Sequence, residues 1–325
     1  MNTMNTPSNA MPDSSRDSQT NDSRGIAPAI FTATRPMYWA LRRELWENRS
    51  LYIAPLAVAA LTLFGFMLST IHLPENMRAA SARDLTRRHE IVEQPYEKVE
   101  QPYDSAELLL MATYLIVAIF YCLDALHGER RDRSILFWKS LPVSDVTTVL
   151  SKASIPLLLL PLFIWAVTVA TQWIMLLVSS AVLLGSGQSA ATLWRNLPLF
   201  QMWTGLLYHL VVVHGFYFAP VYGWLLLVSG WARRMAFLWA GLPMLAIGVV
   251  EKIAFNTMYF ANILGSRLQG GDNAGAASAP GRMMDSLTAI ILGNFLISPG
   301  MLIGLVIFAG FLVAAIRLRR YQGPI

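Results

Sequence analysis

Apolar residues in this chain come in long blocks with few charges, separated by polar stretches, and block length is the first clue to the fold. Leu51 to Ile71 contains no charged residue, and a helix needs about 20 apolar residues to cross the hydrocarbon of a bilayer. Comparable blocks run from about Leu108 to Leu126, Ile155 to Leu184 and Trp203 to Val228. The third exceeds one bilayer thickness and is expected to tilt or bend. The fourth contains Pro220, which frees a carbonyl one turn earlier and predicts a kink near Phe216. The last two are irregular. Met235 to Val250 would climb only about 24 Å before Glu251 and Lys252 interrupt, and Met284 to Ile316 is too long for one straight span and is broken at Ser298, Pro299 and Gly300. The pattern predicts an all-α polytopic integral membrane protein with about six transmembrane helices, occupying residues 51–316.

The polar stretches divide the rest. Residues 1–34, rich in Ser, Asn, Thr and Asp with no apolar h-region, are expected to form a disordered cytoplasmic tail and not a signal peptide. Residues 35–50 open with Pro36, which suits a first helical turn, and set Tyr38, Trp39, Leu41, Leu45 and Trp46 among Arg42, Arg43 and Arg49. That mixture predicts an amphipathic helix lying in the membrane interface; an ordinary solvated helix is the alternative. The first outer loop, 72–107, carries the tandem repeat EQPYEKV and EQPYDSA, and Pro95 and Pro102 predict an extended, solvated conformation there. Residues 265–282 read as a flexible loop and 317–325 as a second cytoplasmic tail.

Composition agrees with lipid as solvent: 55% hydrophobic and 14% charged, with a mean hydropathy of +0.46. The surplus of Lys and Arg could signal nucleic acid, but the basic residues sit beside span ends and not on one face, so membrane topology explains them and nucleic acid is not an expected partner. Arg35, Arg42, Arg43 and Arg49; Arg130, Arg131, Arg133, Lys139 and Lys152; Arg233 and Arg234; and Arg317, Arg319 and Arg320 share one side in a six-span arrangement, predicting both termini in the cytoplasm. Arg78, Arg83, Arg87 and Arg88 fall on the other side among acids. Cys122 is the only cysteine, which rules out an intrachain disulfide and reads as a buried, inert thiol.

Catalytic patterns are missing. There is no G-x-x-x-x-G-K-[ST] phosphate loop, no H-E-x-x-H zinc pair and no G-x-S-x-G elbow, so the chain is not expected to be an enzyme or to hold a cofactor or metal of its own. His209 and His214, five apart, would fall on different faces of an α-helix, which argues against a shared metal. Glu251 and Lys252 carry a penalty of about 2.5–3.5 kcal/mol each at a helix centre, so they are expected near the outer leaflet. They and Pro299 are candidate pathway residues, with helix capping by Glu251 and snorkelling by Lys252 as the alternative. A secondary transporter with an intramembrane ion site and a membrane-embedded enzyme using His209, His214 and Glu251 are the rival functions.

The stretch after the second block, ERRDRSILFWKSLPVSDVTTVLSK from Glu129 to Lys152, is the most distinctive in the chain. It resembles the cytoplasmic loop of type-2 ABC exporter permeases, in which a charged opening, a small residue, an apolar helical turn and a Pro-Val/Leu-Ser ending follow the second span. Glu129 and Arg130 supply the opening, Ser134 the small residue, Ile135 to Trp138 the turn, and Leu141 to Ser144 the ending. Many such permeases carry Gly where Arg133 stands. The resemblance extends over the layout of nearly the whole chain. It implies a bacterial inner-membrane subunit that pairs with a second permease, identical or different. ATP-Mg would be bound and hydrolysed by a separate ABC ATPase. It further implies a coupling loop within 127–152, with Glu129, Arg130, Arg131, Asp132, Arg133, Ser134, Phe137, Trp138, Lys139, Pro142 and Ser144 as coupling residues. The interfacial helix would act through Trp39, Arg42, Arg43 and Trp46. Two short re-entrant helices, Ile253 to Leu264 and Met284 to Ile297, would form an outer hairpin within 251–298 before the last span.

Overall fold

The computed structural model describes residues 36–70, 97–140, 143–187, 189–197, 199–268 and 299–321. Among them the chain is helical, without a strand, and six helices are long and apolar enough to cross a membrane. This is a multi-pass membrane architecture. Its outward-facing side chains include Leu61, Phe64, Phe120, Phe200, Leu245 and Val306, a coat that water would not tolerate and lipid would.

In order, α1 (Pro36–Glu47) leads into α2 (Ser50–Ser69), the first span. The second is α3 (Glu97–Ala125), followed by two short helices, α4 (His127–Arg131) and α5 (Ser134–Ser140). The third begins at α6 (Asp145–Ser154), passes through a π-helical segment, π1 (Ile155–Leu159), and ends as α7 (Leu160–Gly185). A short α8 (Ala191–Asn196) precedes α9 (Leu199–Tyr208), which runs through a second π-helical segment, π2 (His209–Tyr217), into α10 (Ala219–Trp231). The fifth span is α11 (Ala236–Phe255), then α12 (Tyr259–Leu268), and the sixth is α13 (Pro299–Tyr321).

Several sequence expectations are revised. The second copy of the EQPY repeat is not extended: α3 begins at Glu97 and carries Pro102 inside it. Pro102 forfeits one backbone hydrogen bond, and burial of Tyr103 and Ala106 at 1% and 0% exposure offsets that loss. Residues 265–268 belong to α12 and not to a loop. Glu251 and Lys252 do not end the fifth span, because α11 continues to Phe255 and stops at Asn256, whose φ of 51° is left-handed. The fourth-span break falls at Phe218, two residues after the expected kink. Residues 317–321 of the expected C-terminal tail belong to α13 and 97–99 of the first repeat copy to α3, whereas the N-terminal tail, 93–96, 322–325, the segment Met284 to Ile297 and Pro142 lie outside the described residues.

The third helix, from Asp145 to Gly185, would extend about 60 Å at 1.5 Å per residue. Ser144 starts it by accepting a hydrogen bond from Thr147 N at 3.1 Å. Its interior is interrupted where proline requires it. In a regular α-helix the ring of Pro161 would press on the Leu157 carbonyl, and the wider turn of π1 relieves this.

The two π-helical segments meet in the core. A Cβ on Gly215 would stand 2.8 Å from the Leu157 carbonyl oxygen, so the backbones approach as closely as a hydrogen atom allows. Tyr114, fully buried on α3, donates its hydroxyl to the Pro156 carbonyl at 2.8 Å and lies 3.1 Å from the His214 carbonyl. Tyr222 donates to the Tyr114 hydroxyl at 3.1 Å. Carbonyls displaced from the α ladder thus gain a donor within the bundle, as non-aqueous surroundings demand. Gly215→Ala is expected to destabilise the protein by about 1–3 kcal/mol, seen as a lower midpoint of thermal unfolding in detergent. An unchanged midpoint would mean that the two segments do not hold each other at this distance.

Candidate functional site

At the end of the bundle where α1, α4, α6 and the C-terminal turn of α13 meet, charged side chains form a closed network. Glu129 is its centre. Its Oε1 accepts from Arg43 at 3.2 Å and lies 3.3 Å from the Lys152 ammonium, while its Oε2 accepts from Arg319 at 3.1 Å. Lys152 also donates to Glu44 Oε1 at 2.8 Å, and Tyr121 donates to Glu44 Oε2 at 2.9 Å. Arg319 reaches Asp145 Oδ1 at 2.6 Å, and Arg43 reaches Glu47 at 2.8 Å. Glu44, Glu129, Lys152 and Arg319 are all under 9% exposed.

Each residue is placed by its helix. Glu44 sits on the inward side of α1 with Leu41 and Leu45 packed against the core, so Tyr38, Trp39 and Trp46 point away from the protein. Arg42 lies 5.4 Å from the Trp39 ring and 5.0 Å from the Trp46 ring, shielding its charge with aromatic faces. Lys152 lies on the buried side of α6 with Thr148, Val149 and Ser151. It therefore acts inside the network and not as a surface topology signal. These contacts place Arg43, Lys152 and Arg319 at one end of the bundle. The connection after α10 joins that end through Arg130, which donates to the Gly230 carbonyl at 2.6 Å. Ser229 accepts from the backbone N–H groups of Leu126 and His127 at 2.9 and 2.8 Å.

The sequence-derived loop residues therefore separate into two sets. Glu129 and Arg130 are buried, and Ser134 is half-buried with its hydroxyl 3.4 Å from the Glu129 carbonyl. Arg131, Asp132, Arg133, Phe137 and Lys139 are exposed, with Leu136 beside Phe137, while Ile135 on the opposite side of α5 is buried. Arg131 pairs with Asp132 and Asp124 at 3.1 and 3.7 Å, and Lys139 donates to the Arg320 carbonyl. Arg133 has a φ of 56°, the left-handed conformation that favours glycine, and this turn sets α5 off from α4. Trp138 lies on α5 and Ser144 at the start of α6.

The remaining candidates lie elsewhere. Glu251 accepts from Thr257 Oγ1, Tyr259 N and Phe260 N at 2.8, 2.6 and 2.8 Å, capping α12. Lys252 is exposed near the end of α11, and Pro299 starts α13. Beyond the cap, Arg267 on α12 donates to the Tyr217 carbonyl at 3.0 Å and to the Gly300 carbonyl, with its guanidinium 4.3 Å from the Tyr217 ring. His209 and His214 are not on different faces. The π turn brings residues five apart together, and their rings lie 4.7 Å apart, with His214 stacked on Phe218 at 5.2 Å. No group of three or more metal-binding side chains occurs among the described residues.

Sequence reading missed Glu44, Tyr121, Asp145 and the inward role of Lys152 and Arg319. One signal was available: acids and bases bordering apolar blocks at each of the segments that this network joins.

Fold and site define a multi-pass helical membrane protein with a buried ionic junction at one end of its bundle. No family model, curated protein or solved structure matches the chain.

Breaking such a junction on one side leaves a buried charge without its partner and costs about 3–5 kcal/mol. Lys152→Met is therefore expected to lower the unfolding midpoint sharply. Adding Glu44→Gln should recover part of that loss, since coupled charges are not additive. Equal or additive losses in the double variant would show that the two residues act independently.

Proposed function

We propose that this chain is the membrane permease subunit of an ATP-driven ABC exporter, resident in a bacterial inner membrane with both termini in the cytoplasm. A separate ATPase subunit would bind and hydrolyse ATP-Mg, a second permease would complete the pathway, and none of the residues above would do covalent chemistry. The observation that carries this reading is the two-sided build of the segment between the second and third spans. Its outer side offers Leu136 and Phe137 as apolar anchors flanked by Arg131, Arg133 and Lys139, a combination suited to an acidic-rimmed socket on another protein. Its inner side is fixed by Glu129 and Arg130 to α1, α6, α10 and α13.

A push on α5 would therefore be passed as a rigid displacement and not absorbed by a soft loop, which is what transmission from a nucleotide-driven partner requires. The left-handed turn at Arg133 supports the same reading, because it stands where the permeases that this loop resembles carry Gly. The outward Tyr38, Trp39 and Trp46 fit an interfacial α1. The largely exposed apolar α11, whose buried residue is Ala236, leaves a face for lipid or the second permease.

The test separates docking from folding. Arg131→Glu combined with Phe137→Ala alters exposed side chains and leaves Glu129 and Arg130 in place. The double variant should insert and unfold like the parent yet lose at least tenfold in the yield of an ABC ATPase subunit that co-purifies with the parent from its native membrane. Retained co-purification would overturn the docking role, and the lack of any co-purifying ATPase with the parent chain would overturn the exporter reading.

A further inference from the structure

At the end of the bundle away from the ionic junction, a second core forms around Phe66, Tyr103, Ala106, Met175 and Leu176. Glu107 is set into this region on α3 and is 5% exposed. Its Oε1 is buried with no hydrogen-bond partner, whereas the other buried acids among the described residues, Glu44 and Glu129, are each met by cations. The neighbouring polar groups do not repair this. Gln172, fully buried, hydrogen-bonds the Glu107 carboxyl but leaves its Oε1 unmet; the same neutral amide accepts from Trp203 Nε1 at 2.7 Å and donates to the Tyr103 carbonyl at 3.4 Å. The Tyr103 hydroxyl is paired with Ser179 Oγ at 3.2 Å.

The charged group that faces Glu107 is Asp104, one turn away on the same helix and half-buried; α7 presents the neutral Gln172 and Ser179 there, and α2 presents Phe66. Among the described residues an acid is therefore the closest charge, and no ion pair to a cation involves either carboxyl. With one oxygen unmet and a single neutral amide as donor to the group, a carboxylate charge at this depth is poorly held. Tyr103, Ala106 and Gln172 are each 1% exposed or less, so the surroundings are packed closely around it.

We propose that Glu107 is a proton-binding site within the membrane-spanning bundle, exchanging its proton with solvent by way of Asp104. Residues three apart on a helix are neighbours on its surface, so Asp104 stands between Glu107 and the end of α3. The site binds one proton reversibly as the carboxyl group and gives it back when Glu107 ionises; no other bond is made or broken. It is independent of the exporter reading, since neither ATP nor a second subunit enters the argument.

Infrared difference spectroscopy on the purified protein in lipid nanodiscs tests this. At neutral pH the parent should show a protonated-carboxyl stretching band that Glu107→Gln abolishes and Glu107→Asp shifts, the latter serving if the glutamine variant does not fold. From a starting pH acid enough to protonate the group in both proteins, a jump to high pH should ionise it, and Asp104→Asn should slow the loss of the band at least tenfold. Absence of a neutral-pH band assignable to residue 107 would overturn the site. An unchanged rate in Asp104→Asn would overturn the route.

Discussion

The arrangement depends first on what a buried carboxylate requires. Glu129 follows the second span almost directly, at 6% exposure, where water cannot hydrate it. It must then be surrounded by cations, and the three that reach it come from α1, α6 and α13, elements far apart in sequence. Meeting that requirement fixes how the first helix, the start of the third span and the end of the last span sit relative to one another. Apolar packing alone would not do this in a bilayer, because lipid tails satisfy an apolar helix face about as well as another helix does. Charge pairing specifies a geometry where hydrophobic contact only permits one.

A different constraint governs the middle of the bundle. Two helices carry π turns at the same depth, and their displaced carbonyls are served by a single tyrosine hydroxyl from a third helix. Gly215 lets the two backbones approach, and Tyr114 closes the gap between them. The polar backbone groups exposed by each irregularity are thereby satisfied inside the protein, a condition for irregular backbone at that level. The proline-linked breaks in the third and fourth spans are therefore complementary parts of one contact.

Much of this was legible in the sequence and some could not be. Block length identified the six helices that, among the described residues, are long and apolar enough to cross, because a span must be both whatever it packs against. Residue spacing on an ideal α-helix failed for His209 and His214, since a π turn is created by neighbouring contacts that spacing does not encode. The extended reading of the second EQPY copy failed likewise: proline disfavours a helix locally, but Tyr103 and Ala106 have a core to enter only once the third span is in place. In the loop, sequence singled out the segment Glu129 to Lys152 but could not separate its inside from its outside. Arg130 and Arg131 are adjacent and chemically identical, yet one holds the Gly230 carbonyl and the other lies at the surface. That difference is set by the turn at Arg133 and by where α10 ends, neither of which a string of basic residues reveals.

The distribution of strong contacts also bears on how such a bundle could move. At the basic end, displacement of α5 carries with it α4, the Glu129 junction and hence α1, α6 and α13. Along the bundle, α10 and α13 are held face to face where Gly223 admits Phe308 and where Trp224 meets Phe311 at 5.7 Å. By contrast α11 is attached along one side, through Trp224 Nε1 to the Ala240 carbonyl and through Trp231 against Trp239, and is otherwise exposed. Its far end is tethered indirectly, by the Glu251 cap to α12 and by Arg267 from α12 to π2 and the start of α13. The charges at the loop end thus tie together α1, α6 and α13, whereas α11 is held by α10 along one side and, at its far end, by way of α12 and Arg267. Strong polar contacts therefore concentrate on one side of the bundle, and the more lightly held α11 is the side that keeps apolar surface exposed.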